Sequence, residues 1–333
     1  MDLTIIIVNW NTRDMLLACL QSIREFHDGF RLQTIVVDND SSDGSRDAVE
    51  RGFPEVELIN SGGNLGFGRA NNVALARVES PRICYLNPDT ELRPGALKAM
   101  MEVLDRQPEV GGVGCRLIDA AGNTQALGLQ AFPTPWREFV RLAIYSEKLG
   151  RRFPGWFRWA DAHRSGYLLK IYGACLIVRK EITDKIGAFD DRYFMYCEDV
   201  DLCRRIIEAG WKLYYVGDPP ILHHGAGASS KAPGAFAILM TCQSISQYME
   251  KYYGTVGAIA HRFLVLLAAI LRSGTVWTLI LLRRMTGRAP ATSLEHSAKR
   301  FRFLFRWALG LQKATIAKSR PPATPAAVAA SPR

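Results

Sequence analysis

The sequence predicts an open α/β fold, a mostly parallel sheet flanked by helices on both faces, on three observations. Short β-branched apolar runs of strand length recur along the first 230 residues. Segments with helical periodicity separate them, the alternation that builds parallel sheets through crossover helices. A chain of 333 residues, 48% apolar and 22% charged, can also bury a large core.

In chain order, Leu3–Val8 reads as the first strand and Met15–Phe26 as the first amphipathic helix. Thr34–Asp38 is the second strand and runs onto a carboxylate before the polar loop Asn39–Gly44. Val56–Asn60 makes a third strand, Arg69–Arg77 a helix, and Arg82–Leu86 a fourth strand ending at Asn87-Pro88-Asp89, with a helix starting near Pro94. Further on, Ile171–Val178 returns as a strand, Glu198–Ala209 as a helix closed by Gly210, and Leu213–Val216 and Ile221–His223 as strand-like pieces. Open α/β sheets bind ligands outside the carboxyl ends of their strands. Asn9, Trp10, Asn11, Asp38, Asn39, Asn64, Asn87 and Asp89 therefore converge on one rim.

The formal net charge of +10 is unevenly placed. From Gly257 onward stand 13 Lys/Arg and one acidic residue, Glu295, whereas the preceding chain holds 29 basic and 31 acidic residues. A nearly neutral body thus carries a basic tail suited to an anionic surface. Within the tail, Phe263–Leu282 has 15 apolar residues in 20, long enough to cross a bilayer, but Arg272 sits at its centre beside Ser273 and Gly274. A central Arg costs about +2.5 to +3.5 kcal/mol against roughly −0.3 to −0.6 for each large aliphatic or Phe, and both flanks are basic. Two short helices lying in the membrane interface are expected in preference to one span.

Lys299–Arg306 interleaves bases with aromatics, which would anchor to anionic headgroups at about 1 kcal/mol per cation or stack on RNA bases. The adjoining apolar segment selects the anionic membrane surface as partner, and no nucleic acid is expected. The domain reading is a catalytic body over 1–231, a helical membrane-associating region over 232–318 and a disordered Pro/Ala-rich tail over 319–333. Residues 128–170, aromatic with eight basic and three acidic residues, form either a packed helical insertion or a lid facing the acceptor.

Seven scattered cysteines without a C-x-x-C pair indicate reduced, buried thiols and no disulfide framework or thiolate zinc site. The N-terminal apolar run is short and lacks a basic flank, so the body is expected to stay in the cytoplasm. Dinucleotide and P-loop glycine fingerprints are absent. The rim instead offers Asp38, Asp89, Glu198 and Asp199, which suit base recognition or a divalent cation holding phosphates.

Six motifs then carry a resemblance: Ile-Val-Asn9-Trp10-Asn11, Val-Val-Asp38-Asn39-Asp-Ser41-Ser-Asp43-Gly44-Ser45, Asn64-Leu-Gly66-Phe67, Asn87-Pro88-Asp89, Gly173-Ala174-Cys175 and Glu198-Asp199-Val-Asp201-Leu-Cys-Arg-Arg205. Over about residues 1–230 the chain resembles family 2 glycosyltransferases of the GT-A fold, in their bacterial rhamnosyltransferase-like branch. The resemblance implies an inverting transfer from a nucleoside-diphosphate sugar, the best candidate being L-rhamnose from dTDP-L-rhamnose, onto a lipid-linked or polysaccharide acceptor. It places the enzyme at the cytoplasmic face of a bacterial inner membrane, peripheral or monotopic. A transferase using a UDP-hexose, and a catalytically silent nucleotide-sugar-binding scaffold at the membrane, are the alternatives.

Each site residue carries an implied role beside a plainer one. Asn9, Trp10, Asn11, Asn64, Gly66 and Asn87 would line the nucleotide-sugar site. Asp38 would accept the N3–H of uracil or thymine, or else cap its own loop. Arg69 would face the diphosphate, or be a solvated surface residue. Asp89 would hold Mg²⁺ or Mn²⁺, or cap the helix near Pro94; Asn87 stands where many members have a further Asp. One of His223 and His224 would complete the metal shell, since neighbours on an extended chain point oppositely. Asp199 would be the general base with Glu198 orienting it or binding the acceptor, or both would be first-turn acids favoured by the helix dipole. Asp201 and Arg205 read as an i,i+4 salt bridge.

Overall fold

A computed structural model of the chain describes residues 1–125, 130–143, 161–225, 236–286, 289 and 291–312. The expected boundary at 231/232 and the tail from 319 lie outside these residues. So does much of the 128–170 segment.

Strands β1 (Leu3–Asn9), β2 (Leu32–Asp38), β3 (Glu57–Asn60) and β4 (Arg82–Leu86) are parallel and lie in the order β3-β2-β1-β4. Helices α1 (Arg13–Glu25), α2 (Ser45–Gly52) and α3 (Phe67–Ala74) connect them. β1 is buried along its whole length, which explains its unbroken apolar run. The short β5 (Thr90–Glu91) and helix α4 (Ala96–Arg106) follow.

The second half turns the sheet mixed, where a mostly parallel one was expected. β6 (Val110–Ile118) and β9 (Lys212–His223) are parallel to each other, but β8 (Cys175–Arg179) enters between β4 and β6 antiparallel to both. β5 and β7 (Gly166–Leu168) pair antiparallel with β9. The two strand-like pieces expected over 213–223 are thus one strand. The chain reaches β8 after helix α5 (Pro135–Ala143) and β7, and it re-enters from the opposite end of the sheet. An antiparallel neighbour needs no crossover helix.

One face of the sheet buries α1 and α4 against Ile5, Ile7, Val36 and Val113. The other buries α3, α6 (Lys180–Ile186) and α7 (Glu198–Glu208) against Ile6, Val37, Tyr85 and Val178. All seven cysteines are free and buried.

The tail departs from expectation. Helix α8 (Phe236–Met285) bends at Gly254, whose φ of 66° suits a residue without Cβ, and then runs straight through Arg272-Ser273-Gly274. One glycine costs about 1 kcal/mol in a helix, and the packing of Val265, Ala268, Ala269, Val276 and Ile280 outweighs it. These residues meet Phe139 and Leu142 of α5 and Phe301, Leu304 and Trp307 of α9 (Thr292–Ala308) in a third core. The two short helices expected over Phe263–Leu282 are one unbroken helical stretch. α8 is long and apolar enough to cross a bilayer, and only 28% of its most apolar stretch is buried within the protein. Phe263, Ile270, Trp277, Leu281 and Met285 stand exposed.

The first part of α8 belongs to the body. Ser244 Oγ donates to the Met195 carbonyl at 2.7 Å, and Lys251 Nζ donates to Asp201 Oδ1 at 2.6 Å and to Asp190 Oδ2 at 2.8 Å. Asp201, fully buried, also accepts from Tyr193, Tyr252 and, at 2.7 Å, from Arg205 Nε. The i,i+4 pair expected in α7 is therefore one arm of a buried hub that fastens α7 to α8.

Candidate active site

From β1 the chain steps outward to β2 and β3 and then returns to the far side of β1 as β4. Such a switch opens a crevice at the carboxyl ends of the strands. A cleft of about 520 Å³ lies there, lined by Trp10, Asn39, Asn64, Gly66, Phe67, Asn87, Asp89, Gln125, Tyr172, Glu198, Asp199 and His223 among others.

On the β1/β2 side, several predicted residues build the wall rather than face the space. Asn9 is fully buried: its Oδ1 accepts from Thr12 Oγ1 at 2.7 Å, and its Nδ2 donates to Ser41 Oγ at 3.0 Å and Asp38 Oδ1 at 3.4 Å. Asp38 Oδ2 also accepts from the Ser41 N–H at 3.2 Å. Asn11 Oδ1 accepts from the Ser42 N–H at 2.7 Å. Together these bonds pin the loop after β2 to the loop after β1. Buried polar groups must be paired in this way, so Asn9 and Asn11 act by holding the rim in shape.

Asn39 does the same for the next loop, with Nδ2 donating to Asn64 Oδ1 at 3.1 Å and to the Gly66 carbonyl at 3.2 Å, and Oδ1 accepting from the Leu65 N–H at 2.8 Å. Gly66 has φ 81°, and a Cβ there would stand 2.1 Å from the Phe194 carbonyl oxygen, so no side chain fits. Arg69 lies outside the cleft lining, its Nε donating to the Asp191 carbonyl at 2.7 Å.

Across the cleft, β5 pairs with β9 in the register Thr90↔His223, which sets Asp89 beside His223. His223 Nε2 is 3.4 Å from Asp89 Oδ1, with Asp89 buried and His223 half-buried. Gln125 orients the ring: its Nε2 donates to the His223 carbonyl and its Oε1 meets His223 Nδ1, both at 2.7 Å. With Nδ1–H donating to Gln125, Nε2 keeps its lone pair toward Asp89, the tautomer a metal-binding imidazole needs. His224 points away, its Nε2 2.7 Å from Glu91 Oε1. The alternation that separated the two histidines is thus resolved for His223.

One carboxylate oxygen and one imidazole nitrogen facing each other fit a first-row divalent ion whose remaining positions are filled by diphosphate oxygens and water. Among the described residues no third His, Cys, Asp or Glu joins them.

The start of α7 forms another part of the lining. Tyr196 and Cys197, which precede it, both have positive φ (68° and 65°), a costly conformation that sharply turns the chain into the helix. Glu198 and Asp199 therefore project at the cleft from a fixed helix end. Asp199 Oδ1 accepts from the Val200 N–H at 2.8 Å and Oδ2 from the Gly173 N–H at 3.1 Å. Burial pushes the Asp199 carboxyl above its ordinary range, while those two donors and the charge of Lys170 oppose the rise.

Glu198 is the contrasting partner. Its Oε2 is buried with no hydrogen-bond partner among the described residues, and burial, followed by the neighbouring Asp199 charge, pushes its carboxyl up to about 8. The two adjacent carboxyls thus sit in unlike settings: Glu198 has no donor to its Oε2, whereas Asp199 accepts from two backbone N–H groups. Between about 4.5 and 8 the unfolded chain has lost the Glu198 proton and the folded chain keeps it, so stability falls as pH rises through that window. Glu198→Gln is expected to remove that loss and melt roughly 5 °C or more above wild type at pH 8, the gap closing toward pH 4.5. Thermal melts across this range check it, and equal melting at pH 8 would show that Glu198 is not held neutral.

Trp10, Asn64, Gly66, Asn87, Asp89, Glu198, Asp199 and His223 are thus brought together around the cleft, and Asn9, Asn11, Asp38, Arg69 and His224 are not in its lining. Asn39, expected on the rim, lines it too, and Gln125 and Tyr172 join it without having been singled out. A mixed α/β body with a switch-point cleft, asparagines along one wall and carboxylates on the other, defines a glycosyltransferase of the GT-A type.

Comparison with known proteins agrees with that geometry. The profile described as Glycosyl transferase family 2 matches residues 4–186, and the chain belongs to that family. It is 31% identical over 224 residues to the N-acetylglucosaminyl-diphospho-decaprenol L-rhamnosyltransferase of Mycobacterium tuberculosis (strain ATCC 25618 / H37Rv), covering 61% of this chain and 70% of the relative. It is 26% identical over 230 residues to the rhamnosyltransferase WbbL of Escherichia coli (strain K12), covering 66% and 82%. The fold is similar to that of a Pyrobaculum calidifontis mannosyltransferase solved with GDP-Man and Mn²⁺, with a TM-score of 0.56 and 17% identity over 93% of this chain and 86% of that one.

Proposed function

We propose that the protein is an inverting, metal-dependent rhamnosyltransferase that moves L-rhamnose from dTDP-L-rhamnose onto a lipid-linked sugar at a cytoplasmic membrane surface, in cell-surface glycan synthesis. The observation that carries this reading is the convergence of the Asp89/His223 pair and Asp199 on one cleft. The rhamnosyltransferase relatives support the sugar, and the exposed apolar face of α8 supports the membrane.

In this reading the nucleotide lies over the β1/β2 rim, with Asn64 and Trp10 beside it. Asp38, buried behind the lining, holds the loop after β2 through Asn9 and the Ser41 N–H; its carboxylate would take the N3–H of the base only if the bound nucleotide opens that wall. Asp89 and His223 hold Mg²⁺ or Mn²⁺, which supplies neutralisation of the leaving diphosphate. The acceptor hydroxyl enters from the α7 side. Asp199 takes its proton as the new C–O bond forms on the face opposite the breaking bond to the diphosphate, so the anomeric centre inverts. Glu198, held neutral, donates a hydrogen bond toward the acceptor and adds no second negative charge beside the base.

The test is a transfer assay with the purified full chain and a prenyl-diphosphate-linked N-acetylglucosamine acceptor. Turnover with dTDP-L-rhamnose that stops on chelation and returns with Mn²⁺ or Mg²⁺ is the expected result. Preference for a UDP-hexose would replace the sugar and keep the chemistry. No turnover with any donor from a folded, nucleotide-binding protein would make the chain a scaffold.

A further inference from the structure

Three arginines meet where α5, α8 and α9 pack together. Arg141 on α5 is paired with the buried Glu138 carboxylate, Nη2 to Oε2, at 2.6 Å. Arg272 on α8 holds its guanidinium 5.5 Å from the Phe301 ring of α9, and its buried Nε has no hydrogen-bond partner among the described residues. Arg300, next to Phe301 and exposed on α9, feels the like charges of both Arg141 and Arg272. Among the described residues neither Arg272 nor Arg300 has a carboxylate partner. Glu138 pairs with Arg141 alone, while Arg300 feels the like charges of Arg141 and Arg272, so a further anion at the cluster would relieve that repulsion.

The cluster is electrostatically joined to the active site. Glu138 and Arg141 lie within the field of Cys197, the residue before α7. Lys170, half-buried and two residues from the cleft residue Tyr172, lies within the fields of Asp199 and Glu138. Cationic groups therefore lead from Asp199 through Lys170 and Arg141 to Arg300 and Arg272. The cleft lining itself offers no Lys or Arg. Immediately beyond Arg272 lies the exposed apolar face of Ile270, Leu271 and Trp277.

We propose that Arg141, Arg272 and Arg300, with Lys170 between them and Asp199, bind the diphosphate of a prenyl-diphosphate-linked acceptor sugar, whose lipid lies along the apolar face of α8. This assignment rests on the glycosyl-transfer reading above. It gives each part of the acceptor a place: the sugar hydroxyl at Asp199, the diphosphate at the arginines and the prenyl chain on exposed side chains. Arginine is suited to the middle position because its planar fork pairs two phosphate oxygens at once.

Farnesyl diphosphate in neutral-detergent micelles, titrated calorimetrically into the full chain, tests it. The double variant R272Q/R300Q is expected to bind at least about tenfold more weakly than wild type, while farnesol in the same micelles binds both alike. R300Q alone changes an exposed position and keeps the test open if the double variant does not fold; its affinity is expected to fall about threefold or more. Unchanged affinity in R300Q would overturn the proposal. So would equal competition by phosphatidylglycerol, which would make the cluster a general headgroup surface, or by inorganic pyrophosphate, which would leave the lipid no part. Failure of the glycosyl-transfer reading would show elsewhere, as no binding of dTDP or UDP by wild type in the presence of Mn²⁺.

Discussion

Asp199→Asn is expected to lower turnover about 10³-fold while nucleotide-diphosphate affinity stays within about twofold of wild type. The substitution keeps size and one of the two bonds accepted from the Gly173 and Val200 N–H groups, but its NH2 cannot accept the other and it removes the basic oxygen. Asp199 lines the same cleft as Asp89 but sits at the start of α7, and in the proposed reading binding of the nucleotide does not use it. Single-turnover kinetics with saturating donor and acceptor separate the steps, and a loss smaller than about tenfold would transfer the base assignment to another group. Glu198 would be the next to examine. The low-pH limb of the wild-type rate profile reports the same carboxylate, with activity rising as Asp199 ionises.

Asp89→Ala is expected to cost a similar factor, on the order of 10³, by a different route, because several kcal/mol of charge stabilisation on the leaving diphosphate are lost. Its signature is in binding. Wild type should hold dTDP or UDP more tightly when Mn²⁺ is added, and the variant should bind equally with and without it. A variant whose nucleotide affinity still responds to Mn²⁺ would show that Asp89 is not a metal ligand. His223, turned by Gln125, is the second protein ligand in this account and should give a smaller loss of the same kind.

Much of this arrangement was legible in the sequence because central parallel strands are buried on both faces and read as uninterrupted apolar runs. β1, β2 and β4 are of this kind, and each ends on its polar rim residues. β6 was not legible. Its start, Val-Gly-Gly-Val-Gly, carries poor strand formers, and the reason for them is tertiary: Cβ atoms at Gly111, Gly112 and Gly114 would meet Ile182, Leu213 and Ile171 at 2.5, 2.8 and 2.1 Å. The direction of β8 was equally hidden, since apolar content does not encode which way a strand runs. At the site, local motifs marked Asp89, Glu198 and Asp199, but the partition of the rim asparagines did not show. Asn9 and Asn64 look alike in sequence, and only the completed hydrogen bonds assign one to the wall and the other to the cleft. Gln125 has no motif around it and reaches His223 from 98 residues away along the chain. Arg272 read as an interruption of an apolar helix because the ring it stands over, Phe301, lies on another helix.

The continuity of α8 carries a practical consequence. Its first turns hold the Met195 carbonyl and the Asp201 hub, and its later turns present Phe263, Trp277 and Leu281 to the outside. No single cut in the polypeptide separates catalysis from attachment. Shortening the chain ahead of α8 to obtain a freely soluble enzyme would also remove the side chains that brace α7. Repainting the outward-facing apolar positions of the intact helix with polar residues is the alteration that would release the enzyme from detergent and leave the brace in place.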